Sequence, residues 1–358
     1  MNILNKVAIS RQQTLPDTGP QHGVGATLTR LFGLAMIRLP TLLRPTMPSL
    51  RLLFVLALML TSCASLDEPA GRSFSFTYGA TITDLAPGAV ARIWLPVAQN
   101  GAHQQIEIET VDVPGDSRFT TEERYGNRLL YTEARADSSG RIPLKVVYSV
   151  HRSEVKPQSG AQLSPGQRQL FLQSNAMVPV GAAAVTQLVK AAPEAVAPRQ
   201  LYDLVDEQVT YNKPAGGDWG RGDALWVCDS GHGNCTDFHS LFIALCRGNK
   251  IPARFEMGFP LPRDSNAGSI GGYHCWAWFE ADGRWSACDI SEADKHPELK
   301  EYYFGHLTPD RLAFTVGRDL TLDPPQAAAP LNYLIYPYVE VAGVAHTQLE
   351  KQFSFTAD

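Results

Sequence analysis

The chain has 358 residues, 44% of them apolar and 19% charged, with no low-complexity tract and no extreme of glycine or proline; it can bury one or two ordinary cores and is neither a disordered nor a fibrous chain. Its formal net charge is −5. Six of the 31 basic residues but only Asp17 of the 36 acidic ones fall in the first 62 positions, so the remainder is more acidic than the whole. Such a body lacks the basic footprint of a nucleic-acid binder, and that function class is excluded.

The front end reads as a processed segment. From Met47, Arg51 supplies a positive flank and Leu52 to Leu60 an apolar run that is short for a membrane span, the pattern of a secretory signal. Leu60-Thr61-Ser62-Cys63 follows and resembles the lipobox of bacterial lipoproteins, which implies that Cys63 becomes the lipid-bearing first residue. Several acyl chains, at about 0.8 kcal/mol per buried methylene, would hold the body on a membrane surface without crossing it. The expectation is a cell-envelope protein, lipid-anchored and facing the periplasm; the competing one is a plain signal peptide cut near Ala64. Residues 1–46 precede a complete signal, which points to a start codon placed too early or to an amphipathic leader. Residues 1–62 are therefore set aside as leader and signal.

Residues 71–155 alternate with period two, as in Phe74/Phe76/Tyr78, Ile106/Ile108 and Leu144/Val146/Tyr148/Val150. Turn signals at Pro87-Gly88, Asn100-Gly101, Pro114-Gly115, Gly126-Asn127 and Ser139-Gly140 separate the runs at spacings suited to an all-β sandwich. A Gly/Gln/Ser/Pro-rich stretch from Lys156 to Gln169 marks a seam. Helical patterns follow around Ala182–Ala192 and Arg199–Val209, then a glycine-rich loop to Gly233. A second domain is expected over 170–345.

The chemistry-bearing residues lie in that second part. Phe238, Leu241, Phe242 and Leu245 recur at i, i+3, i+4 and i+7, ending at Gly248 with Pro252 beyond, which predicts a buried amphipathic helix. Asn234 suits its N-cap, with Asp237 three residues on, and Cys235 falls in the first turn at the positive end of the macrodipole. A thiol there is biased toward thiolate, and the free N–H groups of the turn can face an oxyanion. Farther on, Tyr273 to Glu280 and Arg284 to Asp289 flank Asp282-Gly283, a strong hairpin signal. With those two residues as the turn, Asp289 lies diagonal to His274 on one side at about 7–8 Å between backbones, within reach of a carboxylate and an imidazole. Asp289 can then fix the tautomer of His274 and stabilise its cation. The same parity sends Cys275 and Cys288 to the opposite, buried face.

Gly233-Asn234-Cys235-Thr236-Asp237, Ile251-Pro252-Ala253-Arg254-Phe255, His274-Cys275-Trp276-Ala277-Trp278-Phe279 and Trp285-Ser286-Ala287-Cys288-Asp289 resemble, in order and spacing, the core of the bacterial transglutaminase-like family. The resemblance covers residues 200–292. It implies an α+β fold, a papain-like transglutaminase core preceded by an all-β sandwich, with Cys235 as nucleophile, His274 as base and Asp289 as its orienting partner. In relatives an aromatic or amide group upstream of the cysteine helps hold the oxyanion, and Trp219 and Trp226 are the candidates. Asn234 stands where Asp is commoner and Cys288 where a small apolar residue is usual. The implied function is cysteine-dependent acyl transfer on amide bonds of a protein or peptide, as hydrolase or transferase, with no cofactor and no metal.

Two rival readings stand beside this one. The fold can serve as a noncatalytic binding or assembly module. Cys228, His232, Cys235 and His239 form a Cys/His cluster that zinc could use, although the spacing is not a common zinc pattern and leaves His274 and Asp289 unexplained. Trp276, Trp278 and Trp285 fit core packing better than a cleft lining. His239, one turn below Cys235, is expected as a satisfied core histidine, and Ser291 to His296 as a solvated loop.

Overall fold

The computed structural model describes residues 70–189 and 196–358, which belong to one compact unit. The signal run, Cys63 and the end of the predicted helix at 190–192 lie outside the described residues.

Six strands come first: β1 (Gly71–Ile82), β2 (Val90–Pro96), β3 (Gln104–Asp112), β4 (Arg118–Thr121), β5 (Arg128–Arg135) and β6 (Ile142–Ser153). The period-two residues that predicted them face inward. Phe74, Phe76 and Tyr78 of β1 and Leu144, Val146, Tyr148 and Val150 of β6 are all buried, because a half-covered strand puts every second side chain on the core. Gly88, Gly115, Gly126 and Gly140, each from a predicted turn, take positive φ between the strands.

Helices α1 (Pro165–Leu170), α2 (Ala183–Val189) and α3 (Pro198–Gln208) follow, then β7 (Thr210–Tyr211), α4 (Ala224–Ser230), β8 (His232–Gly233) and α5 (Cys235–Gly248). Two of these were not anticipated. The stretch read as a seam holds α1, started by a Ser164 capping box, and the glycine-rich loop holds α4, whose N-cap Asp223 accepts from the N–H groups of Leu225 and Trp226. The rest is β9 (Ala253–Pro260), β10 (Ala267–Ile270), β11 (His274–Ala281), β12 (Arg284–Cys288), α6 (Ile290–Lys295), β13 (Phe304–Gly305), β14 (Arg311–Val316), β15 (Tyr338–Val341), β16 (Val344–Ala345) and β17 (Leu349–Ala357).

Three five-stranded sheets result. Two form the sandwich, in orders β10-β17-β1-β6-β3 and β16-β15-β2-β5-β4; the third, β13-β12-β11-β9-β14, belongs to the core that carries the candidate site. Sequence runs 71–155 and 170–345 do not separate in space, because the far end of the chain completes the sandwich. β17 lies along β1 from Phe74↔Ala357 to Ile82↔Leu349, and β15 pairs with β2. Helix α5 packs on one face of the third sheet, where Phe242 meets Phe279 with ring centroids 5.7 Å apart. Burying Phe238, Leu241, Phe242 and Leu245 contributes about 1.5–3 kcal/mol each. The opposite face carries Trp276, Trp278 and Trp285, all buried; Trp276 is wholly core packing, whereas Trp278 and Trp285 also border a pocket. Among the described residues no helix is long and apolar enough to cross a membrane.

Candidate active site

Cys235 is the first residue of α5 and is buried. Asn234 caps the helix through Oδ1, which accepts from the Thr236 N–H at 2.9 Å, and Asp237 completes the capping box by accepting from the Asn234 N–H at 2.9 Å. Asp237 does more than the motif suggests. Its carboxylate also accepts from the N–H groups of Gly220 at 2.6 Å and Gly222 at 2.9 Å, tying the upstream loop to the helix start. That fold-back explains Gly233, where a Cβ would lie 2.4 Å from the Asp237 carboxylate.

The hairpin has the predicted register. Asp282 and Gly283 form the turn with φ of 51° and 78°, and Ala277 faces Cys288. Strand β12 stops at Cys288, and Asp289 leaves the ladder to cap α6, its Oδ1 accepting from the Glu292 N–H at 3.1 Å and from the Ser291 hydroxyl at 3.0 Å. Its Oδ2 accepts from His274 Nε2 at 2.6 Å and from Arg311 Nη1 at 3.0 Å. Residues Ser291 to His296 are therefore not a solvated loop: most lie in α6, and Ile290, Ser291 and Ala293 are buried. Asp289, as N-cap, both starts this helix and holds His274.

The electrostatics follow from this packing. Burial disfavours the charge on Asp289, but the His274 cation, its hydrogen bond and the Arg311 guanidinium outweigh burial and hold the carboxyl well below its usual range. Burial likewise pulls His274 down, and the Asp289 and Cys235 charges override it, raising the imidazole to about 10. For Cys235, burial pushes the thiol up, whereas hydrogen bonding with Cys275 and the charge and hydrogen bond of His274 bring it down to about 5. With Nε2 committed to Asp289, Nδ1 is the His274 nitrogen left for the thiol. A thiolate–imidazolium pair is thus the favoured state over a wide neutral range.

Cys275 and Cys288 lie on the buried face beside Ala277 and Phe279, and the five described cysteines are free thiols. Burial holds Cys275 protonated, so its S–H can donate to Cys235. His239 is a buried core histidine with a defined tautomer: Nε2 accepts from the Ile290 N–H at 3.1 Å, leaving Nδ1 to donate toward Cys275 Sγ at 3.6 Å. The Cys228/His232/Cys235/His239 cluster does not converge. Among the described residues the one group with donor atoms within 4.8 Å of one another is His274, Asp289 and Glu292, and there Asp289 already serves His274 and Arg311.

Trp219 precedes Gly220 in the loop held by Asp237. It is 40% exposed, and Lys213 Nζ lies 5.3 Å from its ring. Trp226 sits on α4, edge-on to His232, with Arg221 over its ring at 5.2 Å. Among the described residues neither indole N–H has a protein acceptor. Two elements of the site escaped the sequence. Tyr273, whose hydroxyl accepts from Asn234 Nδ2 at 3.1 Å, stands beside Tyr333 and Tyr336, and its place next to His274 in the motif was a usable signal. Arg311 had none, being 22 residues beyond Asp289 on another strand.

Comparison with known proteins fits this geometry. Residues 182–290 match the model of the transglutaminase-like superfamily core. The chain carries a transglutaminase-like core. The match spans α2 through α5, the hairpin and Asp289, and Arg311 lies beyond it. An uncharacterized protein of Haemophilus influenzae is 25% identical over 319 residues, covering 75% of this chain and 85% of the other. The crystal structure of a "putative cysteine protease" from Cytophaga hutchinsonii superposes with a TM-score of 0.55 at 15% identity, covering 81% of this chain and 99% of that one. At that identity the likeness speaks for fold: an α+β, papain-like transglutaminase core with a β sandwich in front.

Proposed function

We propose that this transglutaminase-like chain is an enzyme of cysteine-dependent acyl transfer on amide bonds. The observation that carries the reading is a buried thiol at a helix N-terminus, drawn down to about 5 beside an imidazole held by a carboxylate at 2.6 Å. The Cys235 thiolate attacks the carbonyl carbon. The C–N bond of the tetrahedral intermediate then breaks as His274 gives its proton to the departing amine, leaving a thioester. Water or a second amine resolves it, with His274 taking the proton back. Asp289 keeps the imidazole oriented and charged. First-turn N–H groups of α5 face the developing oxyanion, and of the two indoles Trp219 is favoured because its neighbour Gly220 is bound to Asp237, which closes the capping box of the same helix.

The proposed substrate is a protein or peptide amide in the cell envelope. Support for that location is the apolar run Leu52 to Leu60 followed by Leu60-Thr61-Ser62-Cys63, which would lipidate Cys63 and hold the protein on the periplasmic face of a membrane.

The test is intact-mass labelling with iodoacetamide at mildly acidic pH. The wild type is expected to take one label rapidly, Cys235→Ala none at that rate, and His274→Ala one slowly, with the labelling midpoint moved from about 5 toward the ordinary thiol value of roughly 8.5. An inert Cys235 in the wild type would sink the enzyme reading and leave the noncatalytic module in its place.

A further inference from the structure

Away from Cys235, on the indole-bearing side of the third sheet, the structure holds a half-open pocket of about 290 Å³. Its walls include Arg152, Arg254, Glu256, His103, Trp278 and Trp285. Arg152 is the anomaly. It continues the inward register of β6 after Leu144, Val146, Tyr148 and Val150, so a guanidinium occupies a place where the strand otherwise buries apolar groups, and it is only 3% exposed.

Its donors are unevenly used. Nη1 donates to Gln104 Oε1 at 3.1 Å, and that amide is otherwise committed: Oε1 accepts from the Ala313 N–H, while Nε2 donates to the carbonyls of Gln99 and Ala313. Nε and Nη2 have no partner. Those two nitrogens form one side-on edge of the guanidinium, the fork that binds both oxygens of a carboxylate. A buried donor pair left without acceptors is costly, which marks Arg152 as a cation still lacking its anionic partner.

The surroundings narrow the ligand. Arg254 also leaves Nε without a partner while stacking over Trp278 at 5.0 Å and Trp285 at 4.7 Å. Glu256 cannot fill the fork easily, since its Oε2 accepts both the Trp276 and Trp278 indole N–H groups, at 2.5 and 2.8 Å, and its Oε1 faces Arg254 Nη2 at 3.8 Å. His103 stacks on Trp278 and is driven down to about 4, first by burial and then by Arg152, so it stays neutral. Two guanidinium cations and one carboxylate leave a single positive charge, which matches a monoanion better than a dianion.

We propose that this pocket is a binding site for a small monocarboxylate with an apolar or aromatic body, the carboxylate on the Arg152 guanidinium and the body against Trp278 and Trp285. It is separate from the thiol site and does not depend on the activity proposed there.

The experiment is calorimetric titration of the full chain with benzoate, benzamide and inorganic phosphate, with indole fluorescence as a second readout because two tryptophans wall the pocket. Benzoate is expected to bind with unit stoichiometry and to change the fluorescence, with benzamide and phosphate at least about tenfold weaker. Arg152→Lys, which keeps the charge and loses the fork, is expected to weaken benzoate by about tenfold or more. Should that variant fail to fold, the benzoate and benzamide comparison in the wild type still decides. Failure of the wild type to bind benzoate, equal binding of benzamide, tighter binding of phosphate, or unchanged affinity in a folded Arg152→Lys each overturns the proposal.

Discussion

Two buried histidines approach the same carboxylate from different elements, and they end in opposite charge states. His274, the first residue of the central strand β11, sits 2.6 Å from Asp289 and is raised to about 10; His239, inside α5, sits 3.8 Å from it and is lowered to about 4. Burial pulls both down. At the start of β11, a direct hydrogen bond to Asp289 and the Cys235 thiolate more than offset it. In the helix, Nε2 must stay bare to accept the Ile290 N–H, and the His274 cation adds repulsion. Proximity to a carboxylate does not by itself charge an imidazole; the contact and the other nitrogen's duties decide.

The most direct way to break this contrast is Asp289→Asn. It removes the charge that holds His274 protonated and leaves Arg311 buried beside a neutral group, so a loss of about 3–5 kcal/mol is expected in urea denaturation, with the Cys235 labelling midpoint moving up. Wild-type stability with unchanged labelling would show that the carboxylate is not the source of the difference. Arg311→Gln should have a smaller effect. Asp289 keeps His274 and its α6 bonds but loses a charged donor, at about 1.5–3 kcal/mol, and the labelling midpoint should move by less than in Asp289→Asn.

The subtlest test sharpens the other half. A histidine whose folded pKa is depressed from 6.5 to about 4 favours the folded state fully above 6.5 and loses that contribution as pH falls through about 4. His239→Gln, which can still accept the Ile290 N–H, should therefore flatten the fall of stability between those pH values and leave the labelling midpoint nearly unchanged. A shift of that midpoint as large as in Asp289→Asn would mean that His239, and not His274 alone, sets the state of Cys235.

Much of the site was legible because its signals are local. The apolar stripe Phe238/Leu241/Phe242/Leu245 and the Asn234 cap set a helix with Cys235 in its first turn, and Asp282-Gly283 sets a two-residue turn whose register brings Asp289 to the side of His274. Capping, periodicity and turn chemistry act within a few residues, so a linear reading captures them. The same holds for the inward faces of β1 and β6.

What only the tertiary structure decided depends on chain segments far apart in sequence. Arg311 reaches Asp289 from another strand, the Gly220–Gly222 loop is drawn onto Asp237, and Tyr338–Val341 and Leu349–Ala357 return to complete the N-terminal sandwich. Arg152 illustrates the limit most sharply. The β6 pattern alone could place it on the inward face, but whether its Nε and Nη2 met partners there depended on how β3, β9 and the hairpin closed around it. The state of a buried charge is set by everything packed against it, and that packing is what a one-dimensional pattern leaves open.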